Sequence, residues 1–210
     1  MRNNLFPVAK EGWKTLFFSF SAFLLFILID WNFLAFLSLL LTLSFLFIFR
    51  NPERELPAFE INSFVSPVDG VVKSIEEIKG DAYAYKVEIE GSYLDVALLR
   101  MPTAAKLLKL QSFNGTRVSK NSKLYSDLNE NTSLTFEESS SNKYRVDLKV
   151  KNSFISLHVD LIEGQKVNQA SRFGLMLQGV TTIYLPSNFR LNTQVGTRLK
   201  ASESLIGYFS

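Results

Sequence analysis

The sequence predicts a mostly β fold, a barrel-sandwich-like domain of short strands, preceded by an N-terminal α-helical membrane hairpin. Three observations carry this. Apolar residues crowd between Thr15 and Phe49, strict apolar–polar alternation begins after Glu55, and glycine turns recur at matching distances from apolar positions. A chain of 210 residues has room for one compact domain and one membrane element. The expected division is 1–54 for the hairpin with its basic flanks and 55–210 for the β domain.

The hairpin follows from length and charge. Thr15 to Ile29 is apolar, as is Phe33 to Phe49, and Asp30-Trp31-Asn32 separates them. A single helix over both runs would extend ~52 Å, against a hydrocarbon core of ~30 Å. It would also leave Asp30 near mid-membrane, at roughly 2.5–3.5 kcal/mol. Two short helices with an interfacial turn avoid both penalties. Arg2, Lys10 and Lys14 precede the runs, Arg50 and Arg54 follow them, and the turn carries no basic residue. The positive-inside rule then puts both ends, and the C-terminal domain, on the cytoplasmic face of the inner membrane. Arg50 and Arg54 are candidate contacts for anionic lipid headgroups, or topology determinants alone.

After Glu55 the pattern changes period. Tyr83–Ile89, Tyr144–Val150 and Phe154–Val159 alternate apolar and polar residues, as half-buried strands do. Thr103–Leu110 is the best short helical candidate, and Lys109 with Leu107-Leu108 suggests an amphipathic segment near the bilayer. Asn129–Asn142, polar and serine-rich, reads as an exposed loop or hairpin tip. Gly115-Thr116-Arg117-Val118, Gly164-Gln165-Lys166-Val167 and Gly196-Thr197-Arg198-Leu199 form a repeat. In each, a basic residue follows the glycine at +2 and apolar residues follow at +3 and +9.

Composition closes off several chemistries. A net charge of +3 gives no reason to expect nucleic acid as a partner. The absence of cysteine removes disulfides, thiol nucleophiles and Cys-zinc sites. One histidine, His158, leaves no expectation of a metal site or a Ser-His-Asp triad, and on an alternating strand it reads as a packed or surface residue.

Several motifs occur in a fixed order. They are Phe49-Arg50-Asn51-Pro52-Glu53-Arg54, Ser66-Pro67-Val68-Asp69-Gly70, Glu163-Gly164-Gln165-Lys166-Val167, Arg172-Phe173-Gly174, Tyr184-Leu185-Pro186 and a Gly196–Gly207 terminal segment. In that order they resemble the short-form, membrane-anchored phosphatidylserine decarboxylases over nearly the whole chain. The resemblance implies a carboxy-lyase that cuts itself at a Gly-Ser bond. Its serine becomes a pyruvoyl group, which binds the substrate amine and accepts electrons as carbon dioxide leaves.

The same resemblance marks three departures. Val180 follows Gly179 where the family has its pyruvoyl-forming serine, and no serine lies between Gly174 and Pro186. Lys106 stands where the family has histidine. Asn129-Glu130-Asn131 lacks the arginine of the family's N-E-R. Asp69 matches the family's aspartate, either as a remnant of acid–base machinery or as an Asx-turn carboxylate. By the same resemblance the Gly179 region is one residue shorter than in the family, which leaves two registers open, and neither offers a serine. Thr181, the next hydroxyl, sits one residue beyond the matching position.

The expectation is therefore a family member without catalysis and without a pyruvoyl cofactor. Its expected partners are membrane lipids, phosphatidylserine or another aminophospholipid, an active decarboxylase, or a second copy. The alternatives are an active decarboxylase with another maturation site and a membrane-tethered barrel-sandwich adaptor without lipid chemistry.

Overall fold

The computed structural model describes residues 6–59, 62–78, 82–119 and 121–210. Arg2, read as part of the basic flank, lies outside them. The chain divides into two compact units, one ending at Glu53 and one running from Arg54 to Ser210.

The first unit is a helical hairpin. A 3-10 turn, Lys10–Gly12, leads into α1, Trp13–Leu28, and α2 follows at Asn32–Ile48. Asp30 turns the chain between them with φ 56°, a left-handed conformation that Asp tolerates better than most residues. Gly12 is required by close approach, because a Cβ there would lie 2.4 Å from the ring of the fully buried Phe49. Ala9 N–H donates to the Phe49 carbonyl at 2.8 Å, and Asn51 N–H to that of Pro7 at 2.7 Å, so the open ends of the hairpin are tied together. Midway, Thr42 Oγ1 lies 3.0 Å from Ser19 Oγ and 2.8 Å from the Ser38 carbonyl. Such interhelical bonds contribute about 0.6 kcal/mol each in a bilayer. The large side chains point the other way: Phe17, Phe18, Leu28 and Phe33 are 67%, 70%, 81% and 77% exposed. A hairpin with small polar residues inside and phenylalanines outside matches hydrocarbon as its solvent. Residues Lys10–Leu28 form a helix long and apolar enough to cross a membrane.

The second unit is mostly β. Its strands are β1 (Ser63–Val65), β2 (Gly70–Glu77), β3 (Tyr85–Glu90), β4 (Leu98–Arg100), β5 (Ala105–Phe113), β6 (Asn131–Glu138) and β7 (Lys143–Val150). They continue with β8 (His158–Val159), β9 (Lys166–Val167), β10 (Arg172–Leu175), β11 (Gly179–Leu185), β12 (Phe189–Leu191), β13 (Arg198–Leu199) and β14 (Leu205–Phe209). A four-residue helix, α3 (Tyr125–Leu128), interrupts them. Eight strands form one antiparallel sheet in the order β13-β2-β3-β11-β7-β6-β5-β9. Two three-stranded sheets, β1-β14-β12 and β4-β10-β8, accompany it, and none of the three closes on itself. The core includes an aromatic cluster in which Phe64 meets the rings of Tyr144, Phe189 and Phe209 edge-on, at centroid distances of 5.1, 5.6 and 5.8 Å.

Local readings changed for identifiable reasons. Thr103–Leu110 is not helical, because most of it lies in β5. The β5–β6 register jumps between Leu107 and Lys109, making Leu108 the extra residue of a β-bulge. The bulge resets the alternation, so Leu107 and Leu110 both face the core three residues apart, which imitates a helical stripe. Asn129–Asn142 is not mainly a loop. β6 occupies most of it and buries Thr132, Leu134 and Phe136 on alternate positions, with the turn confined to 139–142. Of the strand read at Phe154–Val159, only His158–Val159 pairs.

Two of the three glycine repeats share a structure. Gly164 and Gly196 take φ of 84° and 88°, and each leads into a two-residue strand, β9 and β13, at opposite edges of the large sheet. Gly115 leads only to an isolated bridge, Thr116 with Asn129.

Candidate functional site

One end of the large sheet gathers the residues marked by sequence. Asp69 immediately precedes β2 and Gly179 opens β11; Gly91 follows β3, and its N–H donates to the Gly179 carbonyl at 3.0 Å. A small cavity is lined by Asp69, Gly91, Asp95, Met176, Gly179 and Thr181, among others. About 10 Å³ of it is open to the centre of a water molecule, room for a single water.

Asp69 does not bond its own turn, as an Asx-turn would. Its Oδ1 accepts from Arg54 Nη1 at 2.6 Å and from the Ala201 amide at 2.8 Å. Its Oδ2 accepts from Arg54 Nη2 at 2.7 Å, with the Val96 amide at 3.4 Å. The planar guanidinium fork matches the carboxylate, so the pair is bidentate. Arg54 Nη1 also reaches the Ala201 carbonyl at 2.9 Å. Both side chains are buried, at 6% and 9% exposure. Arg54 was read as a headgroup contact or a topology determinant alone; the fold turns its side chain inward onto Asp69. Arg50 lies just beyond α2, donating to the Phe47 carbonyl at 2.9 Å and lying 4.1 Å from the centre of the Phe47 ring.

Asp95, which the sequence did not single out, shapes the same end together with Asn129 and Glu130 of the N-E-R-like motif. The Asp95 carboxyl is pushed up by burial, but the Ser92 hydroxyl and amide and the Arg198 guanidinium outweigh that and hold it below its ordinary range. Asn129, fully buried, accepts from the Val118 amide and donates to the carbonyls of Val118 and Val150, clasping the loop after β5 to the end of β7. Glu130 accepts from the Leu157 amide at 3.2 Å. The Asn-Glu pair of the family-like motif was therefore legible, although its role as a loop clasp was not.

Gly179 is glycine by necessity. A Cβ there would lie 2.4 Å from the Lys149 carbonyl oxygen and 2.7 Å from Met176 Sδ. From it β11 runs unbroken, pairing with β3 and β7. Thr181 stands opposite Ile89 and Leu148, all fully buried, so Thr181 faces inward with Gly179 and Ile183. Val180 stands opposite Glu90 and Lys149, on the other face, and does not line the cavity. Two hydroxyl residues line the cavity: Ser92, whose Oγ donates to Asp95, and Thr181, whose Oγ1 is buried with no hydrogen-bond partner among the described residues.

A family model described as phosphatidylserine decarboxylase matches residues 41–207. The chain belongs to the phosphatidylserine decarboxylase family. The phosphatidylserine decarboxylase proenzyme of Geotalea uraniireducens is 29% identical, covering 99% of both chains. The proenzyme of Desulfotalea psychrophila is 30% identical over 96% of both, and that of Ehrlichia chaffeensis is 25% identical over 98% of this chain and 93% of its own.

Asp69 and Gly179, both marked by the resemblance to this family, line the cavity together. Val180, which the resemblance sets at the pyruvoyl-forming position, lacks a hydroxyl and does not line the cavity. Lys106, which the resemblance set in place of a histidine, is exposed on β5 beside Glu137 and Lys166 and does not line the cavity. His158 is also exposed, with its Nε2 2.9 Å from Asp160 Oδ1. The fold brings together Asp69, Gly179 and Thr181; it leaves Lys106 and Val180 outside.

Proposed function

We propose that this chain is an uncleaved member of the phosphatidylserine decarboxylase family. It serves phospholipid metabolism at the membrane as an aminophospholipid-binding protein or as the partner of an active decarboxylase. The observation that carries the reading is Val180: it has no hydroxyl, and the pleat of β11 turns it away from Asp69. Asp69 is in turn spent on Arg54 and two backbone amides, which occupies the lone pairs a general base would need. Intact mass of the purified chain tests this directly. A single species near 23.9 kDa is expected, with no carbon dioxide released from labelled phosphatidylserine. A C-terminal fragment with a blocked keto terminus would overturn it.

One observation favours a second reading, an active decarboxylase like its named relatives. Thr181 places a buried, unbonded hydroxyl on the cavity wall beside Asp69. Attack of its Oγ1 on the Val180 carbonyl carbon would replace the Val180–Thr181 peptide bond by an ester. Elimination across Cα–Cβ would then release a chain ending at Val180. The fragment in the mass experiment would begin at residue 181, which separates this reading from the first.

The proposed location is the inner membrane, with the β domain in the cytoplasm. Lys10, Lys14 and Arg50 flank the hairpin and its turn carries no cation, which supports this orientation. A reporter fused after Ser210 is expected to behave as cytoplasmic, and periplasmic activity would refute the orientation.

A further inference from the structure

The strand register aligns one end of the large sheet as a row. Phe113 pairs with Asn131, Asn131 with Lys149, Lys149 with Val180, Val180 with Glu90, and Glu90 with Val71. The segments that leave this row are those after β3, β5 and β7 and the one before β11. They carry a concentration of exposed large apolar side chains: Leu94 at 69%, Phe113 at 46%, Leu124 at 55%, Leu128 at 41% and Phe154 at 48%. At the opposite end the turns at 139–142 and 186–188 carry no exposed large apolar residue among the described ones.

These loops are held in place. The rings of Tyr93 and Phe154 stack in parallel, 6.2 Å apart, and Tyr93 Oη donates to the Asn152 carbonyl. The Asn152 amide reaches the Val118 carbonyl. Several charges between them are paired, as Lys151 and Lys73 meet Glu90, Arg198 meets Asp95 and Arg117 meets Glu130. Apolar tips over paired charges suit the interfacial layer of a bilayer, where aromatic and aliphatic groups go down and polar groups stay wet.

The path of the chain selects the occupant. The domain begins at Arg54, which is pinned on Asp69 at this same end. Only residues 49–53 separate it from the last residue of α2, so chain length alone keeps this end within ~20 Å of the hairpin's terminus. We propose that Leu94, Phe113, Leu124, Leu128 and Phe154 form a membrane-insertion surface. By it the β domain docks onto the lipid surface with the Asp69–Gly179 cavity directed at the headgroups. The proposal rests on the hairpin being in the membrane, and its test separates the two.

The chain has no cysteine, so single cysteines can be spin-labelled without further changes. The full chain, carrying Leu94→Cys, Leu124→Cys or Phe154→Cys, is reconstituted into vesicles of phosphatidylcholine and phosphatidylglycerol. Phe36→Cys in α2 reports on the hairpin, and Ile162→Cys and Ser140→Cys report on surfaces away from the row. Labels at Leu94, Leu124 and Phe154 are expected to collide more with dissolved oxygen than with a water-soluble nickel chelate, as at Phe36, with the ratio reversed at Ile162 and Ser140. Aqueous behaviour at Leu94, Leu124 and Phe154 with a lipid signature at Phe36 would overturn the docking alone. An aqueous Phe36 would overturn the hairpin reading and the docking with it. Low collision with both reagents at the tips would mean that another protein surface covers them, and would overturn the docking as well.

Discussion

Val180→Ser is expected to leave the chain whole and inactive, even though it restores the hydroxyl that the family uses. β11 pairs on both sides, so its pleat is fixed. Gly179, Thr181 and Ile183 face the core, and Val180 shares the other face with Thr182 and Tyr184. A serine at 180 would place its Oγ beside Glu90 and Lys149, across the sheet from Asp69. By its resemblance to the family the Gly179 region is one residue shorter, and one residue is the step that moves a side chain to the opposite face. An error of about 1 Å in a reacting atom already costs ~100-fold. Lys106 offers no remedy, because it is exposed on β5, away from the cavity. Val180→Ser with Lys106→His is therefore expected to remain uncleaved as well. A denaturing gel and carbon dioxide release from labelled phosphatidylserine check both variants. Rapid cleavage of the single variant would show that β11 leaves its pairing during maturation and that the scaffold lacked only the hydroxyl.

That outcome turns on something the sequence carried only in part. The residue types were legible: a glycine, a valine for a serine, and a segment shorter by one. The face was not, because a deletion within a strand has the same appearance whether the loop before it or the pleat itself absorbs the change. Only the pairing of Thr181 with Ile89 and Leu148 shows that Thr181, and not position 180, reaches the cavity. Arg54 was hidden for a related reason. Adjacent to the apolar run, it reads as a flank charge. Its partner Asp69 is 15 positions away and the Ala201 backbone that it also touches is 147 away, contacts that no local pattern encodes.

The fold was more legible than the site where packing repeats locally. Tyr144–Val150 alternates because one face of β7 is buried, and the strand lies where alternation placed it. The hairpin was legible because a bilayer constrains length, charge and polarity together. Failures came where two constraints overlap. At Leu107–Leu110 a bulge breaks period 2 and imitates period 3.6. In β6, Thr132, Ser133 and Thr135 give a loop-like composition to a strand that buries Leu134 and Phe136 completely. Threonine favours strands, and its hydroxyl disguises that when composition alone is weighed.

Arg54→Ala is expected to lower the stability of the β domain by about 3–5 kcal/mol, the usual cost of leaving one member of a buried ion pair without its partner. For a domain of this size each kcal/mol shifts the midpoint by roughly 2–4 °C, so a fall on the order of 10 °C is expected in thermal unfolding. The mechanism is the isolation of Asp69. Without the guanidinium fork its buried carboxylate keeps only the Ala201 amide at 2.8 Å and the Val96 amide at 3.4 Å. Arg54→Lys should recover part of the loss, since an ammonium restores the charge without the two parallel bonds. Asp69→Ala should be nearly as damaging, because it buries a guanidinium without its anion. The double variant Arg54→Ala with Asp69→Ala should lose less than the sum of the two, the coupling expected of residues in direct contact. Arg50→Ala sets the contrast, as it removes a cation–π contact and a helix-end bond that together contribute on the order of 1 kcal/mol. Thermal melts of the five variants in detergent check the series. If Arg54→Ala melts like the parent and instead loses affinity for anionic vesicles, Arg54 is a headgroup contact and the buried pair with Asp69 does not hold the domain together.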